Sequence, residues 1–356
     1  MSELLSNTIE MIKPLDEKAM AEARTRQDTL TKPQGSLGRL EELSVQLAGI
    51  QGKLIPQINH KAIITMAADH GVVAEGVGNW PQEVTAQMVE NFLKGGAGIN
   101  VIARQIGARI IIVDMGVAGE LAVSTQLTSR KIAPGTRNIS LGPAMTDSEA
   151  VRAVETGIEV VSAEVAKGLD IVGTGDMGIG NTTASSAICA VFTGQPVADV
   201  TGRGTGITDE QLVHKVEVIN KALAVNRPDP KQPLEVLAKV GGFEIGGLAG
   251  VMLGAAAHRV AVVIDGFISG AAALIAAALS PQLKSYLVAA HVSAEAGHRL
   301  MLKHLDLEPL VDLGMRLGEG TGAALGMFLC ETAARILAEM STFAEAGVSE
   351  ESEPDS

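Results

Sequence analysis

Continuous apolar runs recur along the chain, and each of them ends in Asp, His or Gly. They span residues 62–66, 109–113, 171–172, 260–264 and 286–290. Strands that are apolar on both faces and alternate with helical segments indicate a parallel sheet covered by helices on both sides. Ligands bind beyond the carboxyl ends of such strands, so we expect an α/β fold whose strand ends surround one crevice.

The third run leads into a glycine-rich turn, Asp170–Ala184, with the sequence DIVGTGDMGIGNTTA. Such a turn lets backbone N–H groups converge on an anion at the start of a helix, where the helix dipole also favours negative charge. We expect the bound anion to be phosphate. Glycines at 173, 175 and 178 also fit the pattern G-x-G-x-x-G, which by itself leaves a dinucleotide site open.

The composition excludes several classes of function. The formal net charge is −13, which argues against nucleic acid as a partner because nucleic acid binding needs a basic surface. Cys189 and Cys330 lie in apolar helical contexts, so we expect buried thiols and a cytoplasmic location. The longest uncharged apolar stretches, 245–257 and 266–281, fall short of the roughly 20 residues that a spanning helix requires. We expect no membrane partner and no secretory signal.

We expect four parts along the chain. Residues 1–50 are predicted to be helical and to contribute to a small domain, with Ser36 as the cap of an apolar helix. Residues 51–290 are predicted to form the α/β domain that binds substrate. Residues 291–345 are predicted to pack with the small domain, and residues 346–356 to be a disordered acidic tail.

A second informative stretch is Met315–Met327, MRLGEGTGAALGM, in which Glu319 lies between two glycines ahead of a predicted helix. A carboxylate without bulky neighbours can be approached by a planar substrate. Apolar walls, such as that of Leu317, would raise its pKa by desolvation, as a general base requires. The alternative is that Glu319 caps the helix, where a negative charge is favourable.

Other polar residues have both a functional and a structural interpretation. Lys215 follows a second glycine-rich loop, 202–206, and a Thr208–Gln211 capping pattern; it either contacts phosphate or lies in solvent. Asp69 and His70 end the first strand, where hydrogen-bonded structural residues are more typical than a metal pair. We expect no metal site, because the chain has neither an H-E-x-x-H helix nor a cysteine cluster.

Two further segments stay open in the same way. Residues 291–295, HVSAE, follow the last apolar run and either contact a ligand or end the strand. Trp80 is either a lid residue or a packed anchor. The helix predicted at 85–94 would place Val84, Met88 and Phe92 on one face.

Taken together, the motifs of this chain resemble those of the nicotinate-nucleotide:dimethylbenzimidazole phosphoribosyltransferases. The resemblance covers residues 5 to about 340, with the blocks in the same order. The blocks are TKPQGSLGRLE (31–41), AADHGV (67–72), VDMGV (113–117), GTGDMGIGNTTA (173–184), TGRGTGI (201–207), KVGGFEIGGLAGVMLGAA (239–256), IDGFIS (264–269), HVSAEAGH (291–298) and MRLGEGTGAALGM (315–327).

The resemblance implies a Rossmann-like parallel sheet with helices on both faces, a small helical domain and a homodimer. It implies transfer of the 5-phosphoribosyl group from nicotinate mononucleotide to 5,6-dimethylbenzimidazole, which gives α-ribazole 5′-phosphate and nicotinate for the lower ligand of cobalamin. It implies no cofactor. The chain departs from the family pattern at Asp176, where the family often has Glu, and at Ala184, where it often has Pro.

Matching the family's motifs to this sequence implies a role for each of several residues. The catalytic glutamate falls on Glu319 and the phosphate-side lysine on Lys215. For the base pocket we expect Met88, Ser293, Leu317 and Gly318. The phosphate and ribose cradle falls on Gly175, Asp176, Met177, Gly178, Ile179, Gly180, Asn181, Thr182 and Thr183.

Two other classes of function remain as alternatives. An NAD(P)-dependent oxidoreductase is suggested by Gly173, Gly175 and Gly178 with Asp199 further along, as in the dinucleotide fingerprint. That fingerprint normally opens the first strand–helix unit, whereas two predicted strands precede it here. The other alternative is a non-catalytic protein that binds a nucleotide or a benzimidazole.

Overall fold

The computed structural model describes residues 2–204 and 206–349. A parallel sheet forms the centre of the fold, and its strands are β1 (Lys61–Ala68), β2 (Arg109–Gly116), β3 (Leu127–Ser129), β4 (Ile171–Met177), β5 (Ala261–Ile264) and β6 (Leu287–Ala289). Their spatial order is β3-β2-β1-β4-β5-β6, and every neighbouring pair is parallel. This order is that of a Rossmann-like sheet, so the predicted fold class is confirmed.

Helices connect the strands and extend the chain at both ends. The helices are α1 (Glu3–Met11), α2 (Glu17–Thr29), α3 (Arg39–Gln51), α4 (Val84–Lys94), α5 (Gly98–Ile106), α6 (Asp147–Val165), α7 (Asn181–Thr193), α8 (Val197–Val200), α9 (Asp209–Asn226), α10 (Pro233–Val240), α11 (Phe243–Ala257), α12 (Phe267–Leu279), α13 (His298–Leu305), α14 (Thr321–Glu339) and α15 (Phe343–Ala346).

Helices cover both faces of the sheet, as predicted. On one face, Gly247 of α11 lies so close to β1 that an added Cβ would come within 2.2 Å of the Met66 sulfur. On the other face, Gly173 of β4 lies against the first turns of α14, where an added Cβ would meet Ala323 at 3.1 Å and Met327 at 3.0 Å. Side chains alternate between the faces of a strand, so the central strands β1 and β4 are buried on both faces, and most of their residues are apolar or glycine.

The crossing of α6 and α11 depends on glycine. An added Cβ on Gly157 would lie 1.9 Å from the carbonyl oxygen of Gly247, and one on Gly250 would lie 1.9 Å from that of Val154. These helices therefore touch backbone to backbone. The small-residue segment 241–256 is buried throughout.

The predicted runs correspond to β1, β2, β4, β5 and β6, but no feature of the sequence indicated β3. That strand has only three residues, LTS, and pairs only with β2 at the edge of the sheet. The order of the strands reverses between β1 and β4. In sheets of this kind the ligand crevice lies at that reversal, beyond the carboxyl ends of the two strands.

The contacts between residues divide the chain into two compact units. The larger unit joins the N-terminus up to Lys13 with His60–Met327, and the smaller joins Pro14–Asn59 with the chain from Phe328 onward. The smaller unit is helical, and its core includes Ala23, Val45, Ala48 and Leu337. The predicted boundaries at residues 50, 290 and 345 stay predictions, and most of the predicted tail, from 350 onward, lies outside the described residues.

The predicted cap of α3 is wrong. The helix begins at Arg39 after Gly38, and no side chain caps it. Gly35 and Gly38 both have positive φ, and the N–H of Leu37 donates to Glu41 Oε1 at 3.0 Å, so a tight turn separates Ser36 from the helix. Leu43, Val45 and Leu47 are buried, whereas Leu37 and Leu40 are only partly buried.

Among the residues that the structure describes, one helix, α14, is long and apolar enough to span a membrane by length and composition alone, which was not expected from the sequence. Core helices of globular proteins pass the same test. Of its most apolar window, 56% is buried inside the structure, and its first turns pack on β4.

Candidate active site

The glycine turn follows β4 and ends at the start of α7. An added Cβ on Gly178 would lie 2.3 Å from the carbonyl oxygen of Ala68, so the turn fits tightly against the end of β1. Gly180 has φ +94° and precedes the first helical residue, Asn181. The sequence therefore places an amide-rich helix start at the carboxyl edge of the sheet, as expected for an anion site.

Some amides of this turn are already engaged within the protein. The N–H of Ile179 donates to Thr85 Oγ1 at 3.1 Å, that of Asn181 to the carbonyl of Gly178, and that of Thr183 to the carbonyl of Gly180. The N–H groups of Gly180 and Thr182 have no such bond within the described part of the chain. The turn therefore offers an anion fewer amide donors than its sequence suggests.

Lys215 lies beside the turn. Its Nζ donates to Thr182 Oγ1 at 2.8 Å, and the side chain is 2% exposed, so the structural alternative of a solvated lysine is wrong. Burial lowers the pKa of Lys215 to about 8, and the nearby Glu295 carboxylate opposes this shift. The lysine keeps most of its positive charge at neutral pH.

Residues of two other loops complete the surroundings of Lys215. Glu295 is buried, burial raises its pKa, and its Oε2 has no hydrogen-bond partner among the described residues. Arg316 donates through Nη1 to the carbonyl oxygen of Gly204 at 3.1 Å. Arg316 was missed in the sequence, although it directly precedes the LGEG motif.

Glu319 has an unusual backbone and a defined partner. Its φ is +65°, between Gly318 at +81° and Gly320 at +95°, and a non-glycine residue in this region costs about 1–2 kcal/mol. Its Oε2 accepts from the N–H of Ile99 at 3.0 Å, at the start of α5. The side chain therefore contacts the N-terminus of a different helix from the one that it precedes, and the prediction that it caps α14 is wrong.

Burial dominates the acidity of Glu319. It raises the pKa of this carboxyl, the N–H of Ile99 opposes the shift, and the charge of Asp265 adds to it. The side chain is 5% exposed. A carboxylate with a raised pKa is a stronger base, which is the property that proton abstraction requires.

Asp176 is the penultimate residue of β4 and lies between the turn and the Glu319 loop. Its Oδ2 accepts from Asn181 Nδ2 at 3.0 Å, and an added Cβ on Gly318 would lie 3.2 Å from the same oxygen. Burial raises the pKa of Asp176 well above its ordinary value, and the charges of Asp265 and Glu244 act in the same direction. The glycine at 318 therefore allows the two loops to meet.

Asp69 and His70 have the structural role that the sequence favoured. Asp69 Oδ2 accepts from the N–H of Ala118 at 2.7 Å, and His70 Nε2 lies 2.6 Å from Glu244 Oε1. All three side chains are buried. Among residues 2–204 and 206–349, no group of three or more His, Cys, Asp or Glu side chains is arranged to hold a metal ion.

A cavity joins the glycine turn to the Glu319 loop. It contains about 940 Å³ of empty space, part of it open to solvent. The predicted site residues that line it are Asp176, Met177, Gly178, Ile179, Gly180, Asn181, Thr182, Lys215, Ser293, Leu317 and Gly318. Gly175, Thr183, Met88 and Glu319 are not part of its wall. Glu319 directly follows the wall residue Gly318.

Comparison with known proteins agrees with this architecture. A family model described as phosphoribosyltransferase matches residues 12–348. A protein of Desulforudis audaxviator, named nicotinate-nucleotide–dimethylbenzimidazole phosphoribosyltransferase, is 61% identical over 98% of this chain and 99% of its own. The chain belongs to the nicotinate-nucleotide–dimethylbenzimidazole phosphoribosyltransferase family.

Other relatives extend the likeness to this family. A protein of the same name from a Roseiflexus species is 63% identical over 97% of this chain and 98% of its own. The crystal structure of CobT from Thermus thermophilus superposes with a TM-score of 0.91 at 48% identity, covering 94% of this chain and 100% of that one. Membership of this family makes the chain an enzyme of the pentosyltransferase class, so the oxidoreductase and non-catalytic alternatives are set aside.

Only part of the face of helix α4 that carries Val84, Met88 and Phe92 is buried. Its buried residues are Thr85, Val89 and Phe92, whereas Val84 and Met88 are only partly buried. Thr85 turns inward because its hydroxyl accepts the Ile179 N–H of the glycine turn. Met88 is outside the cavity wall, and its predicted contact with the incoming base stays a prediction.

The structure also locates the remaining segments whose role the sequence left open. His291, Ser293 and Glu295 line the cavity, and so does Trp80, with 51% of its surface exposed. Gly204 of the second glycine loop lines it too, while Thr205 lies outside the described residues. The Thr208–Gln211 capping box at the start of α9 is confirmed.

Proposed function

We propose that the chain transfers the 5-phosphoribosyl group from nicotinate mononucleotide to 5,6-dimethylbenzimidazole, with Glu319 as the general base. The observation that carries this proposal is the juxtaposition of an anion site and a buried carboxylate. The glycine turn with Lys215 lies at one end of the cavity, and Gly318, next to Glu319, lies against Asp176. Family membership supplies the substrates.

The phosphate would bind at the start of α7. Thr182 and Lys215 supply a hydroxyl and a buried positive charge, and the helix dipole favours an anion there. The ribose would then extend toward Asp176, which also lines the cavity. This placement directs C1′ of the ribose toward the Gly318 end.

The chemistry follows from the charge of the leaving group. In nicotinate mononucleotide the ring is a pyridinium, so cleavage of the glycosidic bond neutralises it and leaves an oxocarbenium-like ribose. One nitrogen of the benzimidazole attacks the opposite face, which inverts the configuration from β to α. Glu319 accepts the proton from the other nitrogen, a contribution worth typically about 10²–10⁴-fold.

A homodimer and a cytoplasmic location belong to the same proposal. The family resemblance supports the first, and two free buried cysteines, Cys189 and Cys330, are consistent with a reducing compartment. Light scattering coupled to size-exclusion chromatography tests the dimer, which requires twice the 36.8 kDa mass of the chain.

The direct test of the reaction is product formation. Purified protein is incubated with both substrates, and the mixture is separated by chromatography. We expect α-ribazole 5′-phosphate and nicotinate in equal amounts. Binding of dimethylbenzimidazole without release of nicotinate would contradict the proposal and favour a binding protein.

A further inference from the structure

Asp265 ties the end of β5 to the start of α14. Its Oδ2 accepts from the N–H of Gly320 at 3.1 Å, and its Oδ1 accepts from those of Gly322 at 2.7 Å and Ala323 at 3.1 Å. The residue is 1% exposed, and its own N–H donates to Thr174 Oγ1 at 3.3 Å. Three backbone N–H groups that donate to one buried carboxylate are a strong local restraint, because hydrogen bonds to a charged acceptor are stronger than those between neutral groups.

The restraint acts on the turn that carries Glu319. The left-handed backbone of this residue is unfavourable, so surrounding contacts must hold it. Thr65 Oγ1 donates to the Glu319 carbonyl at 3.1 Å, and Asp265 holds the next residue, Gly320. The carboxylate of Glu319 is thereby kept at the N–H of Ile99.

His291 lies on the other side of Asp265. Its Nε2 is 3.5 Å from Asp265 Oδ1, and its Nδ1 lies 3.0 Å from the carbonyl oxygen of Val292. An added Cβ on Gly322 would lie 2.1 Å from His291 Cδ2, so α14 packs directly on the ring. Asp265 raises the pKa of His291 against the effect of burial, which favours the charged imidazolium in weakly acidic solution.

We propose that Asp265 and His291 are a pair of positioning residues that fix the place and the electrostatic surroundings of the Glu319 carboxylate during transfer. The inference rests on the proposed function. Neither residue needs to touch the reacting atoms. Asp265 acts by holding the backbone of the turn, and His291 acts by balancing the charge of Asp265.

The charged and titratable groups around Glu319, Asp265 and His291 determine how a substitution of Asp265 or His291 changes the pKa of Glu319. Asp265, Asp176 and the amide end of α5 influence the Glu319 carboxyl directly, and Glu244 lies beyond Asp176. His298, behind His291, is kept neutral because burial lowers its pKa to about 3. Removing the negative charge of Asp265 is therefore expected to lower the pKa of Glu319. Removing the positive charge of His291, which lies 3.5 Å from Asp265 and balances it, is expected to raise the pKa of Glu319.

The test compares Asp265→Asn and His291→Gln with wild type in single-turnover transfer from pH 5 to pH 9. Asp114→Asn is the matched control, because Asp114 is also a buried aspartate at a strand end, on β2, but its Oδ1 accepts from Val117 instead. KM for each substrate and the melting temperature are measured for every variant. Ionisation of the substrates is common to all four proteins, so the shift between them is the readout.

We expect Asp265→Asn to lower the plateau rate by about 10²-fold, the loss typical of a displacement of about 1 Å. The acidic limb of the pH–rate profile should move to lower pH in Asp265→Asn and to higher pH in His291→Gln. Both KM values should stay within about threefold of wild type. Asp114→Asn should leave the rate and the limb unchanged. Opposite shifts distinguish positioning from general damage, which would lower the melting temperature and leave the limbs in place.

Unmoved limbs in both variants, or a rate of Asp265→Asn within about threefold of wild type, would overturn the inference while the proposed function stands. If Asp265→Asn does not fold, the limb of His291→Gln alone decides. A wild-type chain that forms no product would overturn the proposed function, and this inference with it.

Discussion

Replacing Lys215 with methionine tests the phosphate end of the cavity. The substitution keeps the length of the side chain and removes its charge, which matters because the residue is 2% exposed and an alanine would leave a hole. Lys215 donates to Thr182 at the start of α7, where we place the phosphate. The loss of this charge should therefore weaken the binding of nicotinate mononucleotide and leave the binding of the base unaffected.

The magnitude follows from the kind of bond that is lost. A hydrogen bond to a charged group contributes about 1.5–3 kcal/mol, which corresponds to a rise in KM of roughly 10- to 150-fold. Glu295 would also lose its positive neighbour in a buried environment, so the upper part of that range is expected. KM for dimethylbenzimidazole should change by less than about threefold.

The assay is the initial rate, with each substrate varied at saturation of the other. Lys221→Met is the matched control, since Lys221 is an exposed lysine of the same helix, α9, and its nearest partner is Ser140 at 3.5 Å. An equal rise in KM for both substrates in Lys215→Met, or an unchanged KM for nicotinate mononucleotide, would contradict the placement of the phosphate beside Lys215.

Three other perturbations have defined outcomes. Because the pKa of Lys215 is about 8, kcat/KM for nicotinate mononucleotide should fall above that pH in wild type but not in Lys215→Met, which a pH series of initial rates shows. Gly318→Ala would place a Cβ 3.2 Å from the Asp176 carboxylate at φ +81°, so we expect a loss of transfer rate that Gly314→Ala, at φ +64° with open space around it, does not cause. Gly250→Ala should lower the free energy of unfolding by about 1–3 kcal/mol or more in denaturant titration, because its Cβ would overlap the Val154 carbonyl, whereas Gly142→Ala meets nothing.

The sheet could be predicted because its strands are buried on both faces. A run such as Ala62-Ile63-Ile64 needs no tertiary information, since only a strand covered by helices on both sides tolerates it. β3 could not be predicted, because its three edge residues, two of them partly buried and one exposed, carry no such pattern. The burial of Thr85 on α4 could not be predicted, because it depends on a hydrogen bond to a residue 94 positions away.

The site shows the same division between local and distant signals. The glycine turn and the Gly-Glu-Gly segment are visible in sequence because their backbone needs glycine. The partner of Glu319 at Ile99 is 220 positions away, and the Asp265 contacts with Gly320, Gly322 and Ala323 span more than 50 positions. Only the fold brings these groups together, so the role of Asp265 was invisible in the sequence.

In the proposed mechanism, Glu319 accepts the proton of the incoming base. The measurement that tests it most directly is the single-turnover rate of α-ribazole 5′-phosphate formation by Glu319→Gln, with Glu339→Gln, an exposed glutamate at the far end of α14, as control. We expect an unchanged melting temperature, a loss of about 10²–10⁴-fold for Glu319→Gln and no loss for the control. A rate for Glu319→Gln within about threefold of wild type would contradict this mechanism.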